Sequence, residues 1–388
     1  MQYRKDISIL GFGCMRFSGS SGKLDYEKAE KEILRALELG VNYFDTAYIY
    51  PGSEELLGKV IEKNNIRDKI ILTTKLPQYM VKNKAGLDKY LNEELSRLRT
   101  DHLDYYLMHH MTDIAQWERL ESLGIREWID EKKKSGQIRH IGFSFHGNTE
   151  MFLKILNAYD WELCLVQYNY MDEHSQAGRK GVEAAAAKGI PVLIMEPLRG
   201  GKLVDLLPEK AKKEIAADPS GWTPAAWAFR WLWDQEAVTC VLSGMNSPEM
   251  VEENCRTASE AKVGSFGPHE FQMIEKIKSI INENTKVNCT GCRYCMPCPK
   301  GVDIPGIFSC YNHMYSESKG SGRKTYFQTI ALRKENASAT QCIGCGKCEQ
   351  HCPQSIEIRK KLKEADKKLR PLPYKIGYSV ARKYMIKR

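Results

Sequence analysis

The sequence lacks long apolar runs, and no stretch approaches the roughly 18 consecutive apolar residues of a membrane-spanning helix. Its first ten residues, MQYRKDISIL, contain no apolar segment typical of a secretory signal peptide. Proline and glycine, at 15 and 29 of 388 residues, are too few for a collagen-like or low-complexity chain. These absences leave a globular protein, which we expect to be cytoplasmic and to bind no membrane.

Acidic residues are scarce in the last quarter of the chain. Residues 286–388 contain 21 Lys and Arg against 7 Asp and Glu, whereas residues 1–285 contain 37 against 42. This step in charge predicts two domains with different functions. A basic domain attracts acidic partners or nucleic acid, but thiolate-bound metal clusters need the same compensating charge. We therefore favour a metal-cluster domain and expect no nucleic-acid partner.

Eight of the 13 cysteines fall in two short runs in the basic region, CTGCRYCMPC and CIGCGKCEQHC. Closely spaced cysteines in an intracellular chain indicate metal ligands, not disulfides. Zinc usually takes two C-x-x-C pairs separated by a linker, whereas each run here holds four thiols and is followed by proline. The second run has the spacing of bacterial ferredoxins, and the first is one residue shorter at its last step. The candidate ligands are Cys289, Cys292, Cys295, Cys298, Cys342, Cys345, Cys348 and Cys352.

In two-cluster ferredoxins the fourth cysteine of each run ligates the other cluster. This pattern predicts one [4Fe-4S] cluster on the first three cysteines of run one with Cys352. It predicts a second cluster on the first three cysteines of run two with Cys298. The segment between the runs reads as mainly helical, and its Cys310 as a packed thiol. We assign residues 286–388 to a small, mainly helical ferredoxin-like domain with a basic C-terminal tail.

Residues 1–285 alternate short apolar runs with amphipathic stretches. Eight strand candidates are present: ISILGFG, VNYFDTA, IILTTKL, LDYYLMHH, IRHIGFS, CLVQYNY, PVLIMEP and VTCVLSG. Helix patterns such as DYEKAEKEILRALELG lie between them, and several end at a glycine. Eight strands alternating with helices over this length predict an α/β fold, a (β/α)8 TIM barrel, with its chemistry at the carboxyl ends of the strands.

Four residues near those strand ends form a set suited to proton transfer. Asp45 ends the second strand, and Tyr50 lies five residues after it in DTAYIYPGSEELLG. Lys75 lies near the end of the third strand candidate and His109 near the end of the fourth. A lysine beside a phenol favours the phenolate and so lowers the phenol pKa. Such a tyrosine passes a proton to a carbonyl oxygen while hydride reaches the carbon. Strand alternation sends the adjacent His110 to the opposite face, where it packs or borders the substrate.

These motifs resemble those of the aldo/keto reductase family over about 285 residues, followed by a ferredoxin-type extension. The resemblance implies a catalytic tetrad of the four residues above and an NADP or NAD cofactor. It implies nicotinamide contacts from Ser144 and Gln167, and an adenine-end contact from Glu253 or Asn254. The substrate class it implies is a small carbonyl compound or alcohol.

The chain departs from the family pattern on the cofactor side. Met195 stands where a tyrosine usually stacks on the nicotinamide, and Glu196 replaces the following serine. The positions that usually clamp a 2′-phosphate hold Gly244 and Met250. The Gly-rich segment EPLRGGKL offers Arg199, Gly200 and Lys202 as an alternative phosphate site.

Three functions remain open from the sequence. In the first, the barrel interconverts a carbonyl and an alcohol with NAD(P)H, and two [4Fe-4S] clusters transfer electrons or support structure. In the second, the barrel holds a flavin that splits electron pairs between the nicotinamide and the clusters. In the third, the chain is a non-catalytic iron–sulfur binding or regulatory module, which the intact tetrad disfavours. An external electron carrier is a partner that fits the first two.

Overall fold

A computed structural model describes residues 6–17, 24–283, 285–289, 291, 293, 295–352 and 356–385 of the protein. Cys292 and Pro353, which belong to the predicted cluster motifs, lie outside these residues. Eight parallel strands close into a barrel in sequence order, each paired with its neighbours and the last with the first. The strands are β1 (Leu10–Gly13), β2 (Tyr43–Asp45), β3 (Ile71–Leu76), β4 (Leu103–Met111), β5 (Ile138–Phe145), β6 (Cys164–Gln167), β7 (Val192–Met195) and β8 (Cys240–Ser243).

Helices follow the strands around the barrel, as the sequence pattern predicts. They are α1 (Tyr26–Glu38), α2 (Ser53–Asn64), α3 (Lys84–Leu98), α4 (Ile114–Ser122), α5 (Ile125–Lys134), α6 (Thr149–Leu156), α7 (Gly178–Ala187), α8 (Glu209–Ala217), α9 (Pro224–Trp233), α10 (Pro248–Glu260) and α11 (Pro268–Asn282). Capping side chains determine where three of these helices begin. The side chains of Asp25, Asn83 and Thr223 accept hydrogen bonds from backbone N–H groups in the first turn of α1, α3 and α9. The TIM-barrel prediction is confirmed.

The barrel interior is filled by side chains on alternate strand positions. Tyr43, Tyr105, Leu107, Leu165 and Leu193 belong to one buried cluster that is separate from the core beneath the helices. Since side chains on a strand alternate with a period of two, the next inward positions after Tyr43 and Leu107 are Asp45 and His109. Asp45 and His109 therefore lie next to this buried apolar cluster, at the carboxyl ends of the strands.

The C-terminal region is mainly helical, as predicted. Its helices are α12 (Ile304–Ser316), α13 (Lys319–Tyr326), α14 (Lys347–Gln350), α15 (Ile358–Leu369) and α16 (Leu372–Met385), with a short π-helix at Phe327–Ala331. A second cluster of buried apolar residues runs from Val287 to Leu369 and includes Cys310 as a packed thiol. The core of the barrel region ends at Ile281 and the second cluster begins at Val287, and the boundary at residue 285 stays a prediction. Within the part of the chain that the structure describes, no helix is long and apolar enough to span a membrane.

Candidate active site

A buried ion pair forms the base of the site. The Lys75 ammonium, which is 1% exposed, donates to both oxygens of the Asp45 carboxylate and to the carbonyl oxygen of Thr46, the latter at 2.6 Å. Burial disfavours the charged lysine, but the charge and hydrogen bonds of Asp45 and the nearby Tyr50 together outweigh it, and the pKa of Lys75 rises above its usual value. Asp45 and Thr46 at the end of β2 thus hold the Lys75 ammonium charged and in place.

Tyr50 lies over this pair, half-buried in the loop before α2. The Lys75 nitrogen is 5.2 Å from the centre of the Tyr50 ring, and the His109 ring stands edge-on to it at 6.0 Å between centroids. Burial raises the pKa of the Tyr50 phenol, Lys75 opposes this, and the net shift is upward. The sequence predicted a lowered pKa, which is wrong for this structure because desolvation outweighs the lysine. The phenol is therefore protonated at neutral pH, as a proton donor must be.

His109 is neutral. Burial and, after it, the charge of Lys75 keep the pKa of His109 well below its usual value. The ring is 6% exposed, and its Nδ1 has no hydrogen-bond partner among the residues that the structure describes. A neutral imidazole offers one N–H donor and one acceptor. The structure thus brings together all four residues of the predicted tetrad.

A strand irregularity brings a second histidine to the same mouth. The register of β4 with β5 shifts between Met108 and Met111, and His110 adopts a left-handed backbone conformation with φ of 59°. The His110 ring lies 4.7 Å from the His146 ring and 6.4 Å from the His109 ring, between centroids. Regular strand alternation predicted that His109 and His110 lie on opposite faces of β4. The shift in register interrupts this alternation at the two histidines, so the prediction does not apply to them.

We expect these buried neutral histidines to make the fold acid-sensitive. Burial is the main cause that lowers the pKa of His110 to about 3 and those of His146 and His313 to about 4, from 6.5. The folded chain therefore binds fewer protons than the unfolded chain, and stability falls as the pH drops below about 6.5 toward 4. Urea midpoints from about pH 7.5 to about pH 5.5 should decrease while iron is retained. His146→Asn should show a smaller decrease, and an unchanged midpoint in the wild type would contradict the assignment.

The residues predicted to contact a nicotinamide line the next three strand ends. The Ser144 hydroxyl of β5 accepts a hydrogen bond from the backbone N–H of His110 at 2.8 Å. The Gln167 amide of β6 donates to the carboxylate of Asp172 at 2.7 Å, and half-buried Met195 pairs with Gln167 in register. Their cofactor roles stay predictions. These hydrogen bonds hold the side chains of Ser144 and Gln167 in place, so their orientation is set before a ligand binds.

Arg199 and Lys202 bind the C-terminal domain in this structure. The Arg199 guanidinium is buried, with Nε 3.0 Å from Asp172 Oδ2 and Nη1 2.5 Å from Glu317 Oε1. It also donates to His313 Nε2 of α12 at 2.5 Å. The Lys202 ammonium donates to Glu317 at 2.5 Å. Both cations are paired with Glu317, so their predicted phosphate role competes with the domain contact.

Lys324 of α13 extends the domain contact to the edge of the catalytic site. Its ammonium lies 3.1 Å from Oε1 of Glu196, whose backbone is left-handed with φ of 53°. The charge of Lys324 contributes to the lowered pKa of both His110 and His146. The carboxylate of Glu196, which stands where the family usually has a serine, is therefore partly neutralised by a lysine of the C-terminal domain.

Arg16 is a cation near the site that the sequence analysis missed. Its guanidinium donates to the carbonyl oxygen of Gly200 at 2.9 Å, and its side chain lies over Gly244. A β-carbon at Gly244 would come within 2.9 Å of the Arg16 side chain, so the glycine makes room for the arginine. Arg16 follows the end of β1 by three residues, and the strand-end rule applied to the other strands would have found it.

The predicted adenine-end residues lie on α10, where they contact neighbouring side chains. Asn254 donates to the Ser243 hydroxyl at 3.1 Å, and Glu253 accepts from the Thr223 hydroxyl. Met250 is exposed on the first turn of this helix. Gly244 and Met250 provide no positive charge for a 2′-phosphate. Among the described residues, the basic side chain of Arg16 lies beside Gly244.

Cysteines of both runs line one cavity in the C-terminal domain. The cavity has a volume of about 360 Å³, and its walls include Cys295, Cys298, Cys342, Cys345 and Cys348. Arg359 also lines it and bonds Glu349 at 2.7 Å. No three metal-binding side chains among the described residues gather tightly enough for a single ion. The thiols instead surround a space, which suits a bulky group with several thiolate ligands.

Comparison with known proteins covers both parts of the chain. The profile described as the aldo/keto reductase family matches residues 9–278, and that of the 4Fe-4S dicluster domain matches residues 288–357. The uncharacterized oxidoreductase YqkF of Bacillus subtilis is 28% identical over 311 residues, which cover 70% of this chain and 95% of that protein. An aldo-keto reductase of Mycobacterium avium is 30% identical over 252 residues, 64% of this chain and 79% of its own length.

Solved structures give the same picture for the barrel. The holo form of aldo-keto reductase AKR11C1 from Bacillus halodurans superimposes with a TM-score of 0.57 at 26% identity, covering 70% of this chain and 92% of that one. An aldo-keto reductase from Klebsiella pneumoniae in complex with NADPH has the same fold, with a TM-score of 0.58 at 22% identity and coverage of 70% and 91%.

Proposed function

The chain belongs to the aldo/keto reductase family and carries a C-terminal 4Fe-4S domain, and from this premise we propose that its barrel interconverts a small carbonyl compound and an alcohol with NAD(P)H. The observation that carries the proposal is the convergence of Tyr50, His109 and the buried Lys75–Asp45 pair at three strand ends. The test is consumption of NADPH or NADH with a panel of aldehydes and ketones, without oxygen. No turnover with either cofactor would overturn the proposal.

In the proposed reaction Tyr50 donates its phenolic proton to the carbonyl oxygen. A nicotinamide, when bound, supplies the hydride. Lys75 stabilises the phenolate that Tyr50 leaves, and Asp45 keeps Lys75 charged and in place. Neutral His109 hydrogen-bonds the same oxygen and orients the carbonyl. Since Tyr50 is half-buried while Lys75 is fully buried, the substrate reaches the phenol but not the ammonium.

The residues on the cofactor side fit a nicotinamide dinucleotide. Ser144, Gln167 and Met195 line three successive strand ends beside the tetrad and would hold the nicotinamide. Arg16, lying across Gly200 and Gly244, would meet the phosphates with a charge-assisted hydrogen bond. A flavin remains an alternative prediction, because one-electron clusters and two-electron hydride need a mediator if they exchange electrons.

We expect weak discrimination between the two nicotinamides. A 2′-phosphate is selected by Arg or Lys, and Gly244 and Met250 occupy the positions where the family resemblance places those groups. NADPH should bind less than about a hundredfold more tightly than NADH, under roughly 2.7 kcal/mol. Dissociation constants measured on one oxygen-free sample test this. A preference of several thousandfold would reveal a basic clamp on the 2′-phosphate.

Removing the Arg16 guanidinium should weaken both cofactors. If Arg16 contacts the shared pyrophosphate, Arg16→Gln should raise both dissociation constants by about tenfold, and by similar factors. Arg126→Gln is the matched control, because Arg126 is also exposed and donates to a backbone carbonyl, that of Ala158, on the outer helices. A loss confined to NADPH would place Arg16 at the 2′-phosphate instead.

We further propose two [4Fe-4S] clusters in the C-terminal domain. In support of the exchanged arrangement, Cys298 of the first run borders the cavity together with Cys342, Cys345 and Cys348 of the second, and Cys295 of the first run lines the same cavity. The other cluster would use Cys289, Cys292, Cys295 and Cys352. Thiolate-bound clusters carry single electrons, and the basic domain offsets their charge.

A further inference from the structure

A basic groove adjoins one of the proposed cluster ligands. It has a volume of about 630 Å³ and lies between the end of α15, the start of α16 and the segment at residues 339–342. Cys342 belongs both to its lining and to the lining of the cluster cavity. A molecule seated in the groove therefore lies beside that thiol.

Lysines without ion pairs border the groove. Lys363, Lys367 and Lys375 are exposed, and the structure records no salt bridge for any of them among the residues it describes. The acidic residue of the groove, Asp366, is paired with Arg370 at 2.7 Å. The remaining charge is thus positive and is not used within the fold.

Exposed apolar side chains continue from the groove along α16. Leu372, Ile376 and Val380 are spaced four residues apart, so they share one helix face, and they are 72%, 62% and 50% exposed. Ile343, next to Cys342, is 63% exposed. The opposite face of α16 is packed, because Tyr378 contacts the Tyr326 and Phe327 rings. Exposed apolar side chains rimmed by polar groups are typical of a surface that binds another protein.

We propose that this surface docks an acidic electron-carrier protein that exchanges single electrons with the cluster beside Cys342. The proposal rests on the assignment of Cys342 as a cluster ligand. In each encounter the reduced carrier loses one electron and the oxidised cluster gains it, with no proton and no bond transferred. The lysines select an acidic partner and steer its approach, while Leu372 and Ile376 offer contacts that a phosphate backbone does not use. Such electron-transfer interfaces are small and short-lived.

Binding to a small acidic ferredoxin tests the proposal without relying on turnover. The holoprotein should bind it at low ionic strength, and affinity should fall steeply with added salt. The triple variant Lys363→Glu, Lys367→Glu, Lys375→Glu should weaken binding by roughly tenfold or more and reduce the salt dependence. Lys59→Glu, Lys134→Glu, Lys188→Glu on the barrel makes the same charge change at exposed lysines and should leave affinity close to that of the wild type.

Iron content, measured on each variant, separates lost docking from a lost cluster. Leu372→Gln should weaken binding at high salt as well, because its contribution is not electrostatic. Equal losses in the two triple variants, or no binding by the wild type, would overturn the proposal. Tighter binding of duplex RNA or of anionic lipid vesicles than of ferredoxin, lost in the groove variant, would also overturn it. Activity of the barrel with NADPH is independent of these outcomes.

Discussion

Tyr50→Phe should reduce kcat for carbonyl reduction by at least about a hundredfold, which is the scale of a lost general acid. The change removes one hydroxyl from a half-buried ring and leaves its packing against His109 and Lys75 intact. Folding and cofactor affinity should therefore be close to wild type. The measurement is kcat and KM for an aldehyde, together with the dissociation constant of the nicotinamide.

Tyr48→Phe provides the matched control for this change. Tyr48 lies two residues before Tyr50 in the chain, and its hydroxyl donates to Glu93 at 2.7 Å, outside the site. Turnover of Tyr48→Phe should stay within a few-fold of the wild type. An active Tyr50→Phe enzyme would mean that the proton comes from another group, with His109 the nearest candidate.

Cys298→Ser should remove one of two clusters. Iron should fall from about eight to about four per chain in protein prepared without oxygen, because a four-iron cluster loses one of its four thiolates. Cys310→Ser is the control from the same domain, since Cys310 is buried against Thr329 and lies outside both runs. Its iron content should equal that of the wild type. Stoichiometric zinc without sulfide in the wild type would contradict the cluster assignment.

Double variants identify which cysteines share a cluster. If Cys298 and Cys345 bind one cluster, Cys298→Ser with Cys345→Ser should keep about four irons, since the second change acts on a cluster already lost. If Cys298 belongs with its own run, both clusters should be lost. Cys298→Ser with Cys295→Ser should behave in the opposite way: it should leave almost no iron under the exchanged arrangement, and about four irons if Cys298 belongs with its own run.

Much of the barrel could be predicted from the sequence, because its strands and helix starts depend on residues that are close together in the chain. Each strand candidate became a strand, and an alternation of two residues places Asp45 and His109 above Tyr43 and Leu107 on the inward face. Helix caps such as Asp25 likewise depend on neighbours within one turn. The family profile confirms the same fold, and the profile of the 4Fe-4S domain confirms the class of the second part.

Long-range contacts account for what the sequence did not predict. Arg199 was assigned to phosphate because its neighbours are glycines, yet it pairs with Glu317, which lies more than a hundred residues later. The position of His110 depends on a shift in strand register, and the pKa of Tyr50 depends on burial by the whole barrel mouth. None of these is encoded in residue type or spacing near the site.

The most direct measurement is a single turnover of oxygen-free protein loaded with one equivalent of NADPH and mixed with an aldehyde. The account predicts that nicotinamide absorbance is lost in step with alcohol formation, at a rate that collapses in Tyr50→Phe. It also predicts no flavin absorbance once the clusters are removed by acid. A protein that binds neither nicotinamide and retains a bound flavin would contradict carbonyl reduction on the barrel.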